Sequence, residues 1–160
     1  MRVVSLVSAA VLILVAAGCD SASEPTSCAN GTLSVQDLVV GTGQTVTPSS
    51  SVSVRYIGRL QSGVVFDSTS TAPPSTTRFS LQGVVDGFKF GIGGTAGASG
   101  LPEIAPMRLG GRRLITVPPN LGYGSEPLKD RFGKIVLNSA GTPLIPGCST
   151  LIFDVRLVDA

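Results

Sequence analysis

Few side chains in this chain are able to do chemistry, and their types narrow what that chemistry can be. There is no histidine, and the three cysteines never form a Cys-x-x-Cys pair. This argues against a zinc or haem site and against any Ser-His-Asp or Cys-His catalytic set. No metal and no cofactor are expected. What remains is a small aromatic set, two tyrosine hydroxyls and some carboxylates. The stretch YIGRLQSGVVFDST (56–69) brings Tyr56, Phe66 and Asp67 together, and NLGYG (120–124) adds Tyr123. Phe79, Phe88 and Phe153 are three more aromatics in a chain without tryptophan. By type alone these residues can line a core or an apolar pocket and name no reaction. Each also has an ordinary reading: the phenylalanines as core, Tyr123 as a loop residue, Asp67 as a carboxylate that ends a strand.

Strands have to position most of these residues. SVSVRYIGRL (51–60) alternates Val52, Val54 and Tyr56 on one face with Ser53, Arg55 and Ile57 on the other, the pattern of a half-buried strand. QSG is a turn, and VVFDS returns as the hairpin partner. LSVQDLVVG (33–41) predicts a first strand with an irregularity near Gln36 and Asp37. RFSL (78–81) predicts a short strand, and GGRRLITVPP (110–119) one bounded by a Gly turn and two prolines. STLIFDVRLV (149–158) is a final alternating strand. GVVDGFKFGI (83–92) predicts a helix with Asp86 as its N-cap, ended by GGTAGASG (93–100). KIVLNSAGTPLIPG (134–147) predicts a small hairpin around NSAG. The expected class is α+β: an antiparallel sheet of five or six strands with one short helix. Charged residues make up only 14% of the 160, with 20 Gly and 11 Pro, as suits one loop-rich, mostly β domain. A net charge of +2 gives no reason to expect a nucleic-acid partner.

The N-terminus reads differently. Residues 3–17 form an apolar or small run of signal-peptide length, ending in VAAGC. Small residues directly before Cys19 resemble the lipobox of bacterial lipoproteins, with Ala16 where Leu is commoner. That resemblance implies cleavage before Cys19 and a lipid on its sulfur; a plain secretory signal is the alternative. The polar linker DSASEPTS (20–27) reaches at most about 28 Å. With Cys19 lipidated, Cys28 and Cys148 remain as a pair for a disulfide outside the cytoplasm, or as two free thiols. The expected location is the bacterial cell envelope, on the extracytoplasmic side of a membrane. Residues 1–18 are then signal, 19–31 anchor and linker, and 32–160 the domain.

From about Thr32 to Val158 the chain resembles the FK506-binding-protein family of peptidyl-prolyl isomerases. VSVRYIGRLQSGVVFDST looks like that family's strand-turn-strand, and VVDGF like its Val-Ile-x-Gly-Trp element. MRLGGRRLITVPPNLGYG looks like its Met-x-x-Gly stretch running to the Tyr-Gly loop, and LIPGCSTLIFDVRLV like its closing strand. The resemblance implies a half-barrel sheet wrapped round a short helix, with a pocket between them that catalyses cis/trans rotation at X-Pro bonds. Carried over by position, Tyr56, Phe66, Asp67, Phe88 and Tyr123 fall at catalytic positions. Phe79, Val84, Val85, Ile145 and Phe153 fall at substrate-binding ones. Phe88 replaces the tryptophan often found on the pocket floor. Partners would be proline-containing polypeptide segments, with a macrolide as a further candidate ligand, and a monomer is expected. Residues 93–104 and 125–143 are longer than the family pattern and interrupt its helix and its pocket loop. The alternative function is a module that binds proline segments with little turnover; a third is a structural envelope lipoprotein.

Overall fold

The computed structural model describes residues 27–69, 75–97 and 100–160. The signal segment, Cys19 and most of the linker lie outside the described residues. The elements are β1 (Ser34–Val39), β2 (Ser51–Leu60), β3 (Val65–Ser68), β4 (Thr77–Ser80), helix α1 (Asp86–Gly93), β5 (Thr95–Ala96), β6 (Glu103–Ile104), β7 (Arg112–Val117) and β8 (Leu151–Asp159). Strand pairing runs β1-β7-β8-β2-β3, all antiparallel. β4 pairs with Ser51–Val54 of β2 and β3 with Ile57–Arg59, so the two share one flank of β2.

Side-chain alternation gives this sheet two different faces. Val52, Val54 and Tyr56 of β2, Ile115 and Val117 of β7, and Leu151, Phe153, Val155 and Leu157 of β8 are all buried on the concave face. The residues between them point outward. Register breaks at Asp37/Val39, Ser53/Val54 and Gly58/Arg59 add local twist, and the sheet stays open around the helix. The break at Asp37/Val39 is the irregularity expected near Gln36 and Asp37.

Helix α1 lies flush on β7 because two glycines, a helical turn apart, face it. A Cβ at Gly87 would come within 2.3 Å of Val117, and one at Gly91 within 2.5 Å of Ile115. Phe88 and Ile92, also a turn apart, fill the adjoining core. Asp86 is not the N-cap. That place belongs to Val85, whose extended backbone sends its carbonyl to the amides of Phe88 and Lys89, both at 3.0 Å. Asp86 is instead the first helical residue. It pairs with Lys89 at 2.5 Å and complements the helix dipole.

The helix stops at Gly93, where the Gly-rich run begins, and β5 and β6 form a two-stranded ribbon that the sequence pattern does not announce. Arg113 ties this region down. Its buried guanidinium makes a bidentate pair with Asp37 (2.6 and 2.9 Å). It also donates to the carbonyls of Gly91 and Ala105, both at 2.8 Å. One side chain thus joins β1, the helix C-terminus and the returning chain, satisfying the Gly91 carbonyl in the last turn of the helix and the Ala105 carbonyl beyond β6.

Residues 134–147 turn back at Asn138, whose amide donates to the Thr142 carbonyl at 2.9 Å, with a single bridge between Leu137 and Pro143. The expected hairpin is there as a turn but forms no strand. Cys28 and Cys148 are disulfide-bonded, with Cα atoms 5.2 Å apart across a sequence separation of 120. Closing a loop of that size restricts the unfolded chain by up to about 5 kcal/mol in the chain-entropy model.

Candidate functional site

Concave-face side chains near the C-terminal half of β2 do not pack shut. They wall a cleft of about 230 Å³ lined by Tyr56, Phe66, Asp67, Phe79, Gly83, Val84, Val85, Phe88, Tyr123 and Phe153. Nine of these ten positions were expected. Ile145 is the exception in the other direction. It is only 1% exposed and packs in the core beneath the loop, so it does not line the cleft. Its carbonyl accepts the Leu128 amide at 2.9 Å, which anchors that loop from inside.

Phe88 is the floor. Its ring meets Phe153 at 4.9 Å, Phe79 at 6.0 Å and Tyr56 at 6.2 Å, each edge-to-face. Phe66 stands on Phe153 at 5.6 Å with the planes at 90°. Such edge-to-face pairs place positive ring edges against negative faces and hold the rings in fixed orientation. Sequence reasoning missed the glycine that makes room for them. Gly58 points inward from β2, and a Cβ there would sit 2.7 Å from the Phe66 ring and 3.1 Å from Phe153. The signal was available: Val52, Val54, Tyr56 and then a glycine at the next inward position marks a close approach. Gly83, the other missed position, lines the rim in open space.

The polar edge is made by two tyrosines and one carboxylate. Asp67 is exposed on its outer side and accepts the Tyr56 hydroxyl at 2.5 Å on Oδ2. The threonine that follows fixes the same corner, since the Thr69 amide donates to the Tyr56 carbonyl at 3.0 Å and Thr69 Oγ1 accepts the Tyr56 amide at 3.2 Å. Burial first, and then the bond to Asp67, push the Tyr56 hydroxyl far above the ordinary tyrosine range. Tyr123 is 41% exposed at the mouth, and its hydroxyl makes no hydrogen bond to a described residue. Its pKa is raised too, by burial and then by the Asp67 charge. Both hydroxyls therefore stay protonated at neutral pH and remain donors. Among the described residues no cluster of His, Cys, Asp or Glu could hold a metal.

An aromatic slot, a Tyr–Asp edge and one O–H donor without a partner among the described residues can bind an apolar ring beside a carbonyl. Among the described lining residues there is no nucleophile with a base beside it.

Comparison with known proteins agrees with this geometry. Residues 42–158 match the family model of the FKBP-type peptidyl-prolyl cis-trans isomerase. An FK506-binding protein 4 of Chaetomium thermophilum is 35% identical over 127 residues, covering 79% of this chain and 21% of that protein. One of the same name from Dictyostelium discoideum is 36% identical over 126 residues, covering 79% of this chain and 28% of it. The chain thus spans about a fifth to just over a quarter of the length of these curated relatives. Among crystal structures, AtFKBP13 superposes with a TM-score of 0.63 at 31% identity, over 80% of this chain and 93% of that one. FkpA from Escherichia coli gives 0.56 at 31% identity, over 79% and 47%.

Proposed function

We propose, from the premise that this chain belongs to the FKBP-type peptidyl-prolyl cis-trans isomerase family, that its aromatic cleft catalyses rotation about X-Pro bonds in polypeptide segments. The observation that carries this is the ring cage around Phe88, closed at one edge by the Tyr56–Asp67 bond and left open at the other by Tyr123.

The amide bond resists rotation by about 18–20 kcal/mol because of its double-bond character. Nothing is transferred when it turns, so no base, nucleophile or metal is needed. Halfway round, resonance is lost and the carbonyl is less polar than in the planar state. A dry apolar slot therefore favours the twisted bond over the planar one. In this reading Phe88 and Phe153 receive the proline ring. Phe66, Phe79, Val84 and Val85 exclude water from the bond. Tyr123 donates to a substrate carbonyl, and Asp67 holds the Tyr56 ring in place. The shortened helix does not weaken the case for turnover. Phe88 lies in its first turn, and the chain leaves helical form only at Gly93. This favours the enzyme over a module that only binds.

The VAAGC motif supports a second part of the proposal: that Cys19 carries lipid and the domain serves exported proteins at a membrane. A protease-coupled assay with a proline-containing tetrapeptide tests the catalytic reading. Faster isomerisation is expected, without added metal, and binding without acceleration would leave only the module. Mass spectrometry of the mature N-terminus tests the second part. An unmodified Cys19 would end it.

A further inference from the structure

The convex face of the sheet is as unusual as the concave one. Arg55 of β2 lies directly opposite Arg156 of β8, and Arg156 lies directly opposite Arg112 of β7. Three guanidinium-bearing residues therefore form one row across three adjacent strands, with Cβ atoms of neighbours about 5 Å apart. Arg59 and Arg78 point from the same face. Two carboxylates share it: Asp154, taken by Arg112 in a bidentate pair at 2.7 and 2.9 Å, and Asp159, 4.0 Å from Arg78. Neither Arg55 nor Arg156 has a hydrogen-bond or ion-pair partner among the described residues, and the Arg55 Nε is shut off from solvent without one. Like charges facing each other in a ladder are destabilising, and a buried donor without an acceptor adds to that. Exposed apolar side chains lie beside the row, Ile57 at 43% and Val158 at 44%.

We infer that this face is a docking surface for the anionic headgroups of a phospholipid membrane. Phosphate oxygens would accept from the terminal guanidinium N–H groups of Arg55 and Arg156, which have no partner among the described residues, and Ile57 and Val158 would meet the headgroup boundary. The position of the N-terminus fits this occupant. β1 begins opposite Thr116 and ends opposite Arg112, so the upstream chain leaves the sheet about 13 Å from the row. The polar linker (20–27) joins the domain at Cys28, which the disulfide pins to Cys148 eight residues before Arg156, and its reach of up to about 28 Å can bring a lipid at Cys19 to the plane of this face. Docked this way, the domain turns its cleft away from the lipid and towards soluble clients. The inference takes its location from the envelope reading above.

The chain lacks tryptophan, so Ile57→Trp places a single indole on this face; Val158→Trp is a second reporter should the first disturb the strand. The full-length protein, isolated from membranes, would be reconstituted in vesicles with and without phosphatidylglycerol. Indole emission should shift to the blue and be quenched by brominated lipid only in the anionic vesicles. The shift should vanish at about 1 M salt, where the Debye length is about 3 Å. Arg55→Gln with Arg156→Gln should lower the docked-to-undocked ratio roughly 30-fold, since each arginine near an anionic surface is worth about fivefold. An unshifted indole on anionic vesicles overturns the inference. So does an equal shift with inorganic phosphate alone, which would mark a small-anion site, or a shift only with an unfolded polypeptide. Co-flotation that persists in high salt reports the lipid at Cys19 instead, so the two readings fail separately.

Discussion

The two faces of this sheet are built from the same three strands and do opposite things. From β2 inward come Val52, Val54, Tyr56 and Gly58; outward come Ser53, Arg55, Ile57 and Arg59. The inner face is a core that opens at one end into an aromatic cleft. The outer face is a solvent surface with a row of arginines. A period of two separates them, and a slip of one residue would exchange every side chain between core and solvent. Burial also gives the same residue type different consequences. Arg113 and Arg112 are neighbours in β7, yet one is 3% exposed within four hydrogen bonds and the other pairs with Asp154 at the surface.

The largest expected effect is at the floor of the concave face. Phe88→Ala removes a 4%-exposed ring that touches three others, and should cost about 3–5 kcal/mol of stability, measured by urea unfolding. Phe66→Ala, on a half-buried ring whose one ring contact among the described residues is Phe153, should cost less stability than Phe88→Ala. It should lower isomerase activity by about tenfold to a hundredfold as water enters the slot. If both variants kept full activity, the cleft would not be the catalytic site.

Next come the two arginines of opposite burial. Arg113→Ala leaves Asp37 and two carbonyls without their donor and should destabilise by about 3 kcal/mol. Arg156→Ala on the outer face should change stability by no more than about 0.5 kcal/mol, and relief of the like-charge row favours a gain. Equal losses in thermal unfolding would mean that the two faces are not energetically distinct.

Smaller effects separate the parts of the polar edge. Tyr123→Phe deletes one donor worth about 0.5–1.5 kcal/mol, roughly threefold to tenfold in rate, with unfolding unchanged. Tyr56→Phe should lower both activity and stability, since it leaves Asp67 without its hydroxyl.

The smallest effect is with pH. Both tyrosine pKa values are raised in the folded protein, so their contribution is complete below the unfolded value of about 10 and is lost as pH rises through the folded ones. Activity and stability should show no tyrosine inflection between about pH 7 and 10. A Tyr56→Phe-sensitive fall in that window would contradict the burial of this hydroxyl.

Much of the site was legible in the linear order of residues, and the rest was hidden for identifiable reasons. Alternation in residues 51–60 and 149–158 put Tyr56 and Phe153 on a buried face, because side-chain direction along a strand is a local property. The motifs around Phe66, Asp67, Phe88 and Tyr123 pointed to the aromatic cleft through their resemblance to the family, where residue type alone allowed core, loop and strand end. Residue type and local spacing alone also determined the antiparallel α+β class and the early end of the helix at the glycines. Tertiary structure decided what depends on register and on long-range closure. It withdrew Ile145 into the core, because residues 125–147 fold back on themselves and carry that side chain beneath the loop. It moved the helix cap from Asp86 to Val85, because the chain reaches the helix in extended form from the cleft rim. It showed why Gly58 must lack a side chain, since only the packed rings reveal the space they need. It also set Arg55, Arg156 and Arg112 in one row. Their alignment depends on the strand pairing and its bulges, which hydrogen bonds between segments up to a hundred residues apart determine, and no local pattern records that.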